Sequence, residues 1–253
     1  VFENAAALVI SAYLMRGNAG DPMPATTQRA VSLAKAHGVP VILTLGTSFI
    51  IAERPEFWRS FIAEHVDVVA MNEEEGEALT GYPDPLLACE RTLDWADLVL
   101  CTAGPTGLYL AGYTDDAVKR ATNYPLLPGA IPEFNRYEFS RPIPRRRCEK
   151  PIKVFAHIAP YHGGPARITS ANGAGDAALA ALLHDISANR YHRARVPSSA
   201  KHARDFLTYS SMSQVCRYAN RVSYQVLVQS SPRLTRGLPE REEGLNDEAY
   251  WAM

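Results

Sequence analysis

The sequence predicts an α/β fold with a mostly parallel central sheet and helices on both of its faces. In the first half of the chain, short apolar runs alternate with helical patterns, as in βαβ units. The runs are apolar along their whole length, which is typical of strands that are covered on both faces. With 253 residues, 47% of them hydrophobic and 21% charged, the chain can form one large core.

Four strands are predicted in this half, at residues 7–10, 39–43, 66–70 and 98–101. Helices are predicted between and beside them, at residues 26–36, 55–64, 73–79 and 85–95, the first preceded by a loop that contains Pro22 and Pro24. Right-handed crossovers bring the carboxyl ends of parallel strands to one edge of a sheet, where ligands of open α/β folds bind. The residues expected along that edge are Ser11, Thr44, Asn72 and Thr102.

The second half is less regular. Five prolines between residues 114 and 150 argue against a long helix there, and the basic run of Arg141 and residues 145–147 is expected to be an exposed loop or a contact with a partner subunit. A strand is predicted at 152–158, a glycine- and proline-rich loop at 159–169, and a helix at 203–227. The acidic tail at 240–248 is predicted to form a solvent-facing helix.

The stretch Ser-Ala-Asn-Gly-Ala-Gly-Asp at 170–176 leads directly into an apolar helical segment. The first N–H groups of a helix have no partners within it, and the helix dipole favours an anion at the same place. Gly173 and Gly175 would let a phosphate approach the backbone. Asp176 would then act as a base on an attacking hydroxyl. A simple glycine turn with a first-turn aspartate explains this stretch about equally well.

The turn at 102–107, Thr-Ala-Gly-Pro-Thr-Gly, is small, polar and rich in glycine, which suits contact with a polyphosphate. Taken alone, it is better explained as a hairpin turn into residues 108–110.

Composition and spacing exclude several classes of function. A formal net charge of -1 provides no field for nucleic acid or an anionic membrane. The four cysteines have no C-x-x-C spacing, which indicates reduced thiols in the cytoplasm. No metal-binding His or Cys cluster is evident, and the longest apolar run is too short to span a bilayer. Because Val1 is followed within a few residues by a strand, the chain is expected to be the C-terminal part of a longer protein.

Three motifs together resemble those of the ribokinase/PfkB family of carbohydrate and nucleoside kinases. Residues 172–176 resemble the end of its D-T-x-G-A-G-D motif, residues 72–75 its N-x-x-E motif, and residues 102–107 its nucleotide-binding turn. Segments at 84–88, 127–141 and 220–239 further resemble purine-nucleoside kinases of this family. The resemblance covers essentially the whole chain and implies a ribokinase-like fold whose N-terminal lid, with part of the nucleoside site, lies outside it.

The resemblance also implies the roles of individual residues in phosphorylating the 5′-hydroxyl of a purine nucleoside with ATP. Asp176 would be the catalytic base. The anion hole would be formed by Gly173, Ala174 and Gly175. ATP would be held by Thr102, Gly104, Gly107, Asn172 and Asn220, with Asn220 beside the adenine. Glu75 and Asn72 would organise Mg²⁺, largely through water.

The chain departs from the family pattern at two places. Ser170 and Ala171 replace the leading Asp and Thr of the motif, and because that Asp helps to bind a monovalent cation in relatives, dependence on K⁺ is uncertain. Thr44 stands where many relatives have an Asp.

Three alternatives remain open at this stage. The chain could be another sugar or nucleoside kinase of the family, or a non-catalytic ATP-binding fragment. Dinucleotide-dependent redox chemistry is weakly supported, because no G-x-G-x-x-G follows the first strand. A homo-oligomer is possible.

Overall fold

A computed structural model describes residues 2–18, 20–122, 125–126, 129–235 and 237–239. Six strands form one sheet in the order β1-β2-β3-β4-β5-β6. They are β1 (Leu8–Ser11), β2 (Val41–Thr44), β3 (Val68–Asn72), β4 (Leu98–Thr102), β5 (Leu108–Asp115) and β6 (Pro151–Ile158). The first four are parallel, as the sequence predicts, whereas β5 and β6 continue the sheet in antiparallel pairing.

Seven helices are described: α1 (Pro22–Ala36), α2 (Ser48–Glu53), α3 (Pro55–His65), α4 (Glu73–Thr80), α5 (Pro85–Thr92), α6 (Ala174–Arg195) and α7 (Met212–Leu227). The first five cover one face of the sheet, and α6 and α7 cover the other. Successive strand residues point to opposite faces, so Val99 and Cys101 join the first core while Leu98 and Leu100 join the second. The predicted two-sided, mostly parallel sheet is confirmed.

Several predicted boundaries in the first half were wrong. Pro22 and Pro24 lie in the first turn of α1 and not in a loop before it. Proline is tolerated there because the first N–H groups of a helix have no intrahelical partner. The short helix α2 was not predicted, and α5 ends at Thr92, three residues early.

The predicted helix at 203–227 begins only at Met212. Residues 203–211 have no α-helical structure, and long-range contacts fix their conformation. The buried carboxylate of Asp185 accepts the N–H groups of Tyr209 (2.7 Å) and Ser210 (3.0 Å). Ser211 and Gln214 then form a capping box, which starts α7.

The basic run at 145–147 forms a 3₁₀ turn that is paired within the chain. Arg146 lies 3.4 Å from Asp67 and 3.6 Å from Asp97, and Arg147 lies 3.6 Å from Asp205. Burial raises the pKa of Asp97, although its carboxylate accepts the N–H of Arg145 at 2.8 Å. The predicted acidic helix at 240–248, and residues 127, 128 and 236 of the family-like segments, lie outside the described residues.

Candidate active site

A cavity of about 540 Å³ lies at the carboxyl ends of β2, β3 and β4, between the start of α6, the turn after β4 and the later part of α7. The parallel register places Asn72 directly beside Thr102 on neighbouring strands. All of the site residues predicted from sequence line this one cavity: Asn72, Glu75, Thr102, Gly104, Gly107, Asn172, Gly173, Ala174, Gly175, Asp176 and Asn220. Ser11 does not line it and instead accepts the N–H of Tyr13.

The start of α6 presents free N–H groups to the cavity. Gly173 caps the helix with a left-handed φ of 82°, and the N–H of Ala174 donates to the carbonyl of Ala171 at 3.2 Å. Among the described residues, no partner accepts the N–H groups of Gly175 and Asp176. The exposed Asp176 side chain stands at the same end. The predicted anion hole included the Ala174 N–H, but that group is engaged by Ala171, and within the described part of the chain the Asp176 N–H is free instead. Two unpaired donors beside a carboxylate suit an anion and a hydroxyl that meet here.

The two glycines of this loop have different structural roles. A Cβ at Gly173 would lie 2.9 Å from both the Cβ and the carbonyl oxygen of Pro232. A Cβ at Gly175, which has helical geometry, would meet only the Thr102 hydroxyl at 3.8 Å. The backbone therefore requires glycine at Gly173, whereas at Gly175 glycine keeps open the space in front of the helix.

This difference predicts opposite outcomes for two alanine variants. Gly173→Ala should lose about 1–3 kcal/mol of unfolding free energy, because it combines a left-handed backbone with a close contact. Gly175→Ala should keep or slightly raise the melting temperature, because alanine favours the helix. Thermal unfolding of the pair measures this, and equal loss of stability in both variants would contradict the described loop geometry.

The turn after β4 is both the hairpin turn and a wall of the cavity. It joins two antiparallel strands, and its own bonds run from the Ala103 N–H to the Gly107 carbonyl (2.9 Å) and from the Thr106 N–H to the Ala103 carbonyl (2.9 Å). Gly104 and Gly107 have positive φ values of 43° and 103°. The hairpin interpretation is therefore confirmed, and contact of this turn with a polyphosphate stays a prediction that its place beside the cavity allows.

Asn72 and Glu75 form a reciprocal capping box at the start of α4. The Asn72 side chain accepts the Glu75 N–H at 2.8 Å, and the Glu75 carboxylate accepts the Asn72 N–H at 3.0 Å. Burial chiefly raises the pKa of Glu75, and the neighbouring charges of Glu74, Asp176 and Glu73 raise it further. A desolvated carboxylate among other carboxylates is stabilised by a cation.

Asn220 holds a loop of the cavity wall. Its amide donates to the Ala159 carbonyl at 2.6 Å and accepts the Tyr161 N–H at 3.3 Å. The sequence analysis missed Tyr161, Ser223 and Tyr224, which also line the cavity. Ser223 donates to the Ala174 carbonyl at 2.8 Å, and the rings of Tyr161 and Tyr224 meet edge to face at 5.3 Å.

A helical-wheel argument would have found part of this wall. Asn220, Ser223, Tyr224 and Leu227 follow the i, i+3, i+4, i+7 spacing of one helix face.

The described residues contain no group of three or more His, Cys, Asp or Glu side chains placed to hold a metal ion. All four cysteines carry free thiols. None of the helices that the structure describes combines the length and apolar character that crossing a bilayer requires.

Comparison with known proteins gives a close relative. No protein-family model matches the chain. Guanosine-inosine kinase of Escherichia coli strain K12 is 62% identical over 251 residues, which is 99% of this chain and 58% of that protein. The kinases of that name from two further E. coli strains match equally well. The chain thus spans less than two thirds of the length of the curated relatives it matches.

Solved structures show the same fold at low sequence identity. Adenosine kinase from Sinorhizobium meliloti aligns with a TM-score of 0.61 and 16% identity over 94% of this chain and 53% of its own. A putative ribokinase II from E. coli aligns with a TM-score of 0.54 and 16% identity over 96% of this chain and 60% of its own. Aminoimidazole riboside kinase from Salmonella enterica, solved with aminoimidazole riboside and an ATP analogue, aligns with a TM-score of 0.53. Its sequence identity is 14%, over 93% of this chain and 60% of its own.

Proposed function

We propose that the chain carries the ATP-binding and catalytic part of a purine-nucleoside kinase. The reason is that it is a homologue of the guanosine-inosine kinases and has the ribokinase-like α/β fold. The reaction moves the γ-phosphoryl group of ATP to the 5′-hydroxyl of inosine or guanosine and gives the nucleoside monophosphate, as in purine salvage. One observation carries the proposal most directly. Asp176 stands beside two unpaired helix N–H groups in a cavity that also contains the Gly104–Gly107 turn.

In this proposal Asp176 accepts the proton of the 5′-hydroxyl as its oxygen attacks the γ-phosphorus. The N–H groups of Gly175 and Asp176 donate to phosphoryl oxygens, on which charge is concentrated during the transfer. The bond from the γ-phosphorus to the bridging oxygen breaks, and ADP leaves. Positioning and electrostatics account for most of the rate of such reactions, because the protein itself does little covalent chemistry.

The polyphosphate of ATP would lie between the start of α6 and the turn after β4. Thr102, Gly104 and Gly107 border it on the β4 side and Asn172 on the α6 side. The adenine would lie toward α7, where Tyr161 and Tyr224 offer aromatic surface. Asn220 would act there by fixing the loop beside the base, because its amide is already engaged by backbone groups.

The residues present fit a magnesium ion held mostly through water and phosphate. Mg²⁺ keeps several waters and takes only one or two protein carboxylates in such sites. One Glu75 oxygen is used by the capping box, and burial with neighbouring carboxylates raises the pKa of this carboxyl, so a nearby cation would favour its ionised form. When bound, the ion neutralises charge on the transferred phosphoryl group.

Glu75→Gln should separate metal binding from folding. Glutamine can still accept the Asn72 N–H, so the cap survives. Burial raises the pKa of Glu75 in the folded state. The free energy of unfolding therefore falls as the pH rises from 4.5 through the folded-state pKa and the buried carboxyl ionises. We expect the variant to be at least as stable as the unaltered protein at pH 7, and to need several-fold more Mg²⁺ for half-maximal activity. Paired magnesium titrations and thermal unfolding test this, and an unchanged titration would remove Glu75 from the metal site.

The direct test of the proposed function is an assay of the complete gene product with Mg·ATP and a panel of acceptors. Inosine and guanosine should be phosphorylated with much higher kcat/KM than ribose or fructose, and the product should be the 5′-monophosphate. Preference for a free sugar would favour the alternative family activity. Titration of the reaction with K⁺ decides the monovalent-cation question raised by Ser170. We place the reaction in the cytoplasm, where ATP and reduced thiols occur together.

We further propose that the nucleoside is held mainly by residues outside these 253. Support comes from the partial coverage of the relatives and from β1, an edge strand of the described sheet on which Val9 is 42% exposed. The isolated chain should then bind Mg·ATP weakly, phosphorylate inosine negligibly and aggregate through this edge. Comparing nucleotide binding with turnover in the chain and in the complete gene product tests this, and a full rate from the chain alone would refute it.

A further inference from the structure

His157 connects the last strand of the sheet to the turn that borders the cavity. It lies on β6, opposite Tyr109 of β5, and the two rings pack 4.4 Å apart. Its Nε2 lies 2.8 Å from the carbonyl oxygen of Thr106, within the turn. Because a carbonyl oxygen only accepts hydrogen bonds, Nε2 must carry the proton.

The other ring nitrogen is consistent with a donor at Nε2. His157 is 5% exposed, and its Nδ1 is buried with no hydrogen-bond partner among the described residues. A proton on Nδ1 would be a buried donor without an acceptor, which is costly. The surroundings therefore favour a donor at Nε2, and the one polar contact of the ring among the described residues is with the turn.

The backbone of His157 is held just as firmly. The side-chain amide of Asn135 accepts the His157 N–H at 3.0 Å and donates to the His157 carbonyl at 2.8 Å. Asn135 is fully buried and also donates to Glu138 at 2.9 Å. The Asn135 amide makes the two backbone hydrogen bonds that a further strand would make at this edge of the sheet. His157 is therefore held in place on β6 while its ring contacts the Thr106 carbonyl.

We infer that His157 is a positioning residue for the phosphate donor, acting through the Thr106 carbonyl on the backbone of the nucleotide-binding turn. A trans peptide directs its N–H opposite to its carbonyl. Anchoring the Thr106 carbonyl toward β6 therefore sets the direction of the Gly107 N–H, whose bond to the Gly104 carbonyl is long at 3.2 Å. Donors held in place before the ligand arrives bind it more tightly. The inference rests on the proposed function, since the turn is taken to bind ATP.

Two substitutions separate the hydrogen bond from the ring. His157→Phe keeps an aromatic ring against Tyr109 and removes the donor, whereas His157→Gln supplies an amide donor in its place. A matched control is Tyr113→Phe, which removes another buried bond on β5, from the Tyr113 hydroxyl to the Leu93 carbonyl at 2.8 Å. Each substitution to phenylalanine removes the donor to one carbonyl, that of Thr106 in His157→Phe and that of Leu93 in Tyr113→Phe. Only Thr106 belongs to the turn.

In the complete gene product, His157→Phe should raise the KM for Mg·ATP, and the Kd of a non-hydrolysable ATP analogue, by about tenfold. The KM for inosine should stay within about twofold, and His157→Gln should recover most of the ATP affinity. Amide hydrogen exchange at Gly104, Thr106 and Gly107 should accelerate in His157→Phe but not in Tyr113→Phe.

Three outcomes would overturn the inference. The first is an unchanged KM for ATP in a His157→Phe protein that is merely less heat-stable. The second is an equal rise in KM for Mg·ATP and for inosine, and the third is unaltered hydrogen exchange in the turn. If the unaltered protein phosphorylates no nucleoside, the proposed function fails instead. Hydrogen exchange then still decides whether His157 holds the turn.

Discussion

Asp176→Asn should lower kcat for nucleoside phosphorylation by about 10²–10⁴-fold in the complete gene product, the range that general-base catalysis supplies. The Asp176 side chain is exposed at the mouth of the cavity, so a near-isosteric amide there should not disturb folding. Mg·ATP should bind as well as before or more tightly, because a negative charge is removed from beside the polyphosphate.

A second carboxylate at a helix start provides the control. Asp21 precedes α1, is exposed and lies outside the cavity. Its carboxylate accepts the Asn18 N–H at 2.8 Å, a bond that an asparagine side-chain oxygen can also accept. Asp21→Asn should therefore leave kcat unchanged. If Asp176→Asn kept more than about a tenth of the unaltered kcat, the base would have to be sought elsewhere.

The sequence predicts which residues line this cavity because the motifs that contain them are local. Each of the three motifs lies at the carboxyl end of a strand or at the start of a helix, and the parallel order of β1 to β4 brings such positions to one edge. Asp176, Glu75 and Gly107 could therefore be placed in one cavity without knowing any long-range contact.

What the sequence could not predict depends on partners far along the chain. The late start of α7 follows from Asp185, which holds backbone groups 24 and 25 residues away. No motif in the sequence singles out His157, and the role proposed for it depends on contacts with residues 22 and 51 positions earlier. The difference between Gly173 and Gly175 follows from Pro232, which no local pattern connects to that loop.

Gly107→Ala should be the most destabilising single substitution in the turn. A Cβ at this position would lie 2.1 Å from the carbonyl oxygen of Ile158 and 3.0 Å from the Ala159 Cα. Both neighbours are backbone atoms at the end of β6, so they cannot move aside as a flexible side chain would. The backbone itself, with φ 103° and ψ −139°, belongs to a region that essentially only glycine adopts.

Gly81→Ala isolates the backbone part of this effect. Gly81 ends α4 with φ 82°, and nothing lies within 4 Å of a Cβ built there, so its substitution should cost only about 1–2 kcal/mol. Gly107→Ala adds the clash, and we expect a total loss of about 3 kcal/mol, or a fall in Tm of about 6–12 °C in a protein of this size. Thermal unfolding of the two variants measures the difference. ATP affinity should fall in Gly107→Ala alone, because relieving the clash moves the turn away from β6 and from its anchor at His157. Equal stabilities in the two variants would show that the turn does not rest against Ile158, and would remove the physical basis for treating Gly107 as a fixed part of the nucleotide site.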